Sequence, residues 1–168
     1  MRQWLQSSVL LVLGGAALLA APALAATANF NATAMIIGPI NVAPVTQLSF
    51  GSLFAGASAG TVTIDASGNR NTSGGVTAGG GSVSAASFTI SGQASQAYTI
   101  TLPAATNLTS GANTMPISIA AADLSGGSTT RVTDAGGNDS FSLGGTLSVG
   151  ANQAPGSYAA TLTITVNH

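Results

Sequence analysis

The chain has 168 residues, of which 4% are charged, with no cysteine and a formal net charge of -1. With no lysine or glutamate and only three arginines, it has no basic patch to hold nucleic acid or an anionic membrane surface. Low charge combined with a mean hydropathy of +0.45 is the reverse of a disordered composition, so the chain is expected to fold, and without disulfides it must rely on packing and backbone pairing.

Arg2 precedes an uncharged run from Ser7 to Ala20, and Pro22-Ala23-Leu24-Ala25 places small residues where a signal peptidase reads them. Residues 1–25 therefore read as a secretory signal, too short in its apolar run for a membrane span. Export across the inner membrane is expected, to the periplasm, the cell surface or an extracellular filament, with no membrane span once the signal is removed. What remains has two arginines against four aspartates, a net charge of two minus four, or -2.

Residues 26–40 form the next segment. Ala28, Phe30, Ala32, Ala34 and Ile36 alternate with Thr27, Asn29, Asn31, Thr33 and Met35, which sorts an apolar face from a mostly polar one as a strand requires. Gly38 and Pro39 end it. A strand at the front of the exported chain can pair within its own chain or with a neighbour.

Residues 41–168 read as a β-sandwich domain. Ile40-Asn41-Val42 and Gln47 to Gly51 come first, with Leu48 and Phe50 on one face, followed by Thr61 to Ile64, with Val62 and Ile64 on one face. Ala66–Ala85 is polar and glycine-rich, and reads as a surface connector with at most one short strand around Val76. Ser87–Ser91 and Ala97–Leu102 alternate on either side of a turn and predict a hairpin. Met115–Ile119 follows, then a turn-prone stretch around Arg131, then Phe141–Leu143 and Thr146–Val149. The last strand is expected from Tyr158 to Val166, with Ala160, Leu162, Ile164 and Val166 on one face and threonines on the other. No helical period intervenes, so the expected fold is an all-β sandwich.

Two blocks carry a family resemblance: the opening A-x-F-x-A-x-A-x-I strand leading to Leu48-Ser49-Phe50-Gly51, and the ending Gly156-Ser157-Tyr158 through Asn167. Together they resemble the spore coat protein U type domain of archaic chaperone-usher pilus subunits. The whole chain after the signal, including VTIDASGNR, the FTISG and YTITLP pair and TLSVGANQAPGSY, is similar to a secreted bacterial family, domain of unknown function 4402. The pilus resemblance implies an immunoglobulin-like antiparallel β-sandwich one strand short, completed by the N-terminal donor strand of the next subunit. It implies a donor interface of Ala28, Phe30, Ala32, Ala34 and Ile36, and an acceptor strand carrying Tyr158, Ala160, Leu162, Ile164 and Val166. The implied partners are other copies or related subunits, a periplasmic chaperone and an outer-membrane usher.

Candidate chemistry is sparse. Gly56-Ala57-Ser58-Ala59-Gly60 matches the nucleophile-elbow pattern, but no helix follows it and the only histidine is His168, so a small-residue loop is expected. Asp134, Asn138 and Asp139 offer oxygens to a hard cation, yet their spacing fits turn formation, with Arg131 paired to Asp134. Gly74-Gly75 and Gly79–Gly81 lack the lysine of a phosphate loop. Tyr98 and Tyr158 read as core or edge residues rather than a sugar site. No catalytic residue, cofactor or metal is expected, because this composition offers almost no acid-base repertoire. The leading expectation is a structural subunit of a fimbria-like filament. The alternatives are a self-complemented monomeric surface or biofilm-matrix protein and a carbohydrate- or partner-binding module.

Overall fold

A computed structural model describes residues 26–168; the expected signal, residues 1–25, lies outside the described residues. The chain divides after Met35 into two units. In the first, Ala26–Met35 has no regular secondary structure and every residue is exposed. The strand expected over Thr27–Ile36 is therefore not formed: a strand exists through its ladder, and no sheet includes these residues.

The second unit is an antiparallel β-sandwich. Its strands are β1 (Asn41–Thr46), β2 (Leu53–Ile64), β3 (Arg70–Ala78), β4 (Ala86–Ser91), β5 (Ala97–Thr101) and β6 (Thr106–Ser110). They continue as β7 (Asn113–Ser118), β8 (Thr130–Val132), β9 (Asn138–Leu143), β10 (Gly145–Val149) and β11 (Thr165–Asn167). Three sheets result, in the orders β3-β2-β10-β7-β6, β1-β4-β9 and β11-β5-β8.

The core has two parts that share Leu48. In one, Ile90 and Phe141 of the β4–β9 pair meet Tyr98 and Ile100 of β5, with Leu124 closing the end. In the other, Val62, Ile64, Ile117 and Leu147 of the five-stranded sheet pack against Leu48, Phe50, Val83, Tyr158 and Leu162. The layer opposite the long sheet is thus built largely from segments between strands.

Several expectations are corrected. The glycine-rich connector is largely strand: β3 pairs with β2 from Ala78↔Leu53 to Arg70↔Ile64, with a register shift between Ala55 and Gly60. The GASAG stretch lies inside β2 and is not a loop. Glycine there permits close backbone approach, since a Cβ on Gly56 would stand 2.6 Å from the Gly75 carbonyl oxygen and one on Gly75 would overlap that of Ser58. The expected β4–β5 hairpin does not form, because the connection crosses between sheets, held by Gly92 N–H to Gly137 O at 2.8 Å and Ser95 N–H to Asp134 O at 3.0 Å. The turn-prone stretch around Arg131 includes β8, and the polar β6 pairs with β7. The long last strand shrinks to β11 and one bridge, Thr109↔Ala159.

Candidate functional site

An open groove of about 850 Å³ reaches Tyr158, the first residue of that interrupted segment. Its floor is apolar: Leu108 of β6, Met115 of β7, and Leu147 and Val149 of β10. One wall is Leu48–Ala55, where the chain passes from β1 to β2. The other is Gln153–Tyr158, which leads into the last segment. Both walls have unpaired backbone. Ser49 exchanges hydrogen bonds with Ser84 and Ser52 with Gly79 and Gly80, whereas Leu48 between β1 and Ser49 makes none, and on the other wall no backbone–backbone hydrogen bond involves Gln153–Tyr158. Outside the groove, Ala160–Ile164 makes none either. Phe54, 67% exposed, stands at the rim.

Each wall is fixed by one polar side chain. The Arg70 guanidinium has no carboxylate partner; it donates to Phe50 O at 2.8 Å, Ser52 O at 3.2 Å and Gly79 O at 2.7 Å, tying the first wall to the end of β3. Gly51 at the bend has φ +68° and lies against this guanidinium, so a side chain there meets both backbone strain and Arg70. On the other wall, Gln153 Nε2 donates to Thr114 O at 3.1 Å and to the Tyr158 hydroxyl at 2.8 Å, and that hydroxyl donates to Ala154 O at 2.8 Å.

Of the residues expected to act as acceptor, Tyr158 alone lines this groove, while Leu162 packs against the core of the five-stranded sheet and Ile164 and Val166 against the other core. Tyr158, Leu162, Ile164 and Val166 are half-buried, and Ala160 is exposed. Their alternation holds while the ladder does not. The residues expected to act as donor are exposed throughout: Phe30 at 89%, Ile36 at 94%, and Ala28, Ala32 and Ala34 likewise. Arg70 and Gln153 are not singled out by the sequence pattern; Asp65, five residues before Arg70, is taken by Asn69 and the N–H groups of its own turn, which leaves the guanidinium to the carbonyls.

The polar cluster at Tyr98 lies elsewhere and is structural. Asp139 receives Arg131 Nε at 2.7 Å, Arg131 Nη2 at 3.0 Å and the Tyr98 hydroxyl at 2.6 Å, which corrects the expected Arg131–Asp134 pair. Asp134 instead closes its own turn, accepting from the N–H groups of Gly136 and Asn138 at 2.8 Å each. The Arg131 hydrogen bonds hold the Asp139 carboxyl down to about 2, and this carboxylate in turn raises Arg131. Burial, then the bond to Asp139, pushes the Tyr98 phenol up to about 12. The knot ties β5, β8 and β9 together with every partner used. The exposed Asp65 is lowered by Asn69 and by turn N–H groups, another closed loop.

Ser58 sits in a strand, with no histidine among the residues lining the groove. Among the described residues no three of His, Cys, Asp or Glu gather as a metal site, and no helix is long and apolar enough to cross a membrane. The geometry defines a class: an antiparallel β-sandwich with an open groove of mixed polar and apolar lining. The protein belongs to the family described as a domain of unknown function, DUF4402, which matches residues 40–168. No curated protein and no solved structure matches it.

Proposed function

We propose that this protein is a secreted structural subunit of a surface filament, assembled by lending Ala28–Ile36 of one copy to the groove of the next. The observation that carries the reading is the pairing of an open groove bordered by unpaired backbone with a fully exposed segment that alternates apolar and polar residues. The two segments that would pair, Ala28–Ile36 and Tyr158–Val166, have the same number of residues, and at about 3.3 Å per residue each spans about 30 Å. Strand addition supplies both needs at once: ladder bonds for the walls and side chains for the floor. The resemblance of both blocks to the spore coat protein U type domain supports the same reading. A periplasmic chaperone that occupies the groove during export, and an outer-membrane usher, are the partners this mode of assembly asks for.

The absence of cysteine makes a direct test available. Ala32→Cys is placed in one tagged chain starting at Ala26 and Leu162→Cys in a second, differently tagged one, and the two are mixed under oxidising conditions. Strand exchange predicts a disulfide-linked heterodimer bearing both tags, absent when either cysteine is omitted. A chain carrying both cysteines that closes only on itself overturns the proposal in favour of a self-complemented monomer.

A further inference from the structure

Two polar side chains fix the walls of the groove. Arg70 spends its guanidinium on three carbonyls, Phe50, Ser52 and Gly79, in a described chain whose only other arginine is bound to a carboxylate. Gln153 ties the opposite wall to Thr114 on β7 and to Tyr158. Neither side chain faces the apolar core as a packing element. Both bridge a groove wall to an established strand, and Phe50 O and Ser52 O would otherwise have no side-chain donor. Without them the bend at Gly51 keeps only the Ser49–Ser84 and Ser52–Gly79 and Ser52–Gly80 backbone bonds, the Gly150–Tyr158 loop loses its tie to β7, and both walls can shift across the slot toward the partly exposed Leu108.

We infer that Arg70 and Gln153 are positioning residues that hold the groove open in advance, so that an incoming strand enters a preformed slot rather than opening a collapsed one. This inference rests on the strand-exchange reading. A preformed site binds without first shifting a closed population, so loss of either pin appears as slower entry, in proportion to the fraction of molecules left open.

The test uses the chain starting at Ala26 with Phe30→Asp, which keeps its own segment from competing, and a fluorescent peptide of residues 26–38 as the probe. Arg70→Met and Gln153→Leu are each expected to slow peptide association by about tenfold or more, because binding then waits on a conformational change. Arg70→Lys, which keeps the charge but reaches fewer carbonyls, is expected to recover part of the rate. Asp139→Asn serves as the control: it weakens the fold at the distant Tyr98 knot and leaves association unchanged. Unaltered association in both pin variants overturns the inference while the strand-exchange reading stands. So does slowing matched by Asp139→Asn, because that is a mere stability effect. A parent that binds no peptide overturns both.

Discussion

Phe30→Asp separates the two places where this side chain counts. In the free chain Phe30 is 89% exposed, so its own fold loses nothing when the ring is removed, and a surface substitution changes stability by no more than about 0.5 kcal/mol. Seated in a neighbour's groove, the ring contributes about 2 to 3 kcal/mol through burial. A carboxylate set against Leu108, Met115, Leu147 and Val149 forfeits that gain and adds a desolvation cost of at least about 1 to 2 kcal/mol. Taking about 4 kcal/mol in all, and 1.4 kcal/mol per decade, affinity between copies falls roughly 1,000-fold. Light scattering behind a sizing column reads the assembly, and thermal unfolding of the dissociated chain reads the fold. The expected result is loss of oligomers at an unchanged midpoint, with Phe30→Leu restoring most of the assembly. Unimpaired oligomers, or a midpoint lowered by several degrees, would refute the reasoning, the latter because it places Phe30 inside its own sandwich.

Asp139→Asn leaves Arg131 without its carboxylate and is expected to cost about 2 to 3 kcal/mol, lowering the unfolding midpoint by roughly 10 °C. Because the folded carboxyl lies at about 2, below the unfolded value of about 3.9, its contribution is whole above pH about 4 and fades as pH falls through about 2. Urea unfolding from pH 7 to pH 2 checks this: the gap between parent and variant should narrow only below pH about 4. The raised Tyr98 phenol acts in the opposite direction, adding stability that is whole below pH about 10 and lost as pH rises through about 12. Gly75→Val places a Cβ against the Ser58 carbonyl and is expected to separate β3 from β2, giving proteolytic cleavage between Ala66 and Ala78 and a lost midpoint of several degrees. Gly80→Ala, with nothing within 4 Å of its Cβ, should behave as the parent does.

Faces were legible in the sequence; neighbours were not. The alternation at Val62 and Ile64 gives two residues with no exposure, and that of Ser87–Ser91 locates β4 and its buried Ile90. β3 escaped because Gly74 and Gly75 have no side chains to alternate, and the strand is specified instead by the glycines of β2 that let its backbone come close. Arg131 and Asp134 are near in sequence, but the Asp134 carboxylate is taken by the N–H groups of its own turn, which leaves Arg131 to reach Asp139 on the neighbouring strand. From Tyr158 to Val166 the pattern correctly sets Leu162, Ile164 and Val166 inward. Alternation says which side of a chain is apolar, but it cannot say whether another backbone lies beside it. The groove is a relation between segments far apart in the chain, a property no residue within it encodes, whereas the alternation of the exposed segment was plain from Ala28 to Ile36.

The pairs at its two ends explain why the last segment is only half a strand. Its ends are fixed, by Ala159 to Thr109 and by Thr165–Asn167 to β5, so it cannot move across to Leu48–Phe50 without breaking pairs it already has. The Leu48–Phe50 wall is equally fixed, by the Ser49–Ser84 pair and by Arg70. A sandwich stabilised without disulfides and with one ion pair among the described residues depends on ladder bonds and apolar contact, and Ala160–Ile164 makes no backbone–backbone hydrogen bond. Under the strand-exchange proposal, an extended segment with small residues between two bulky ones would add ladder bonds and apolar contact without altering the core. Ordering such a segment costs about 1 to 2 kcal/mol per residue, close to what its burial and hydrogen bonds return. Under that proposal, lasting assembly needs the acceptor to gain as much as the donor, so that pairing and completion of the acceptor's fold become one event.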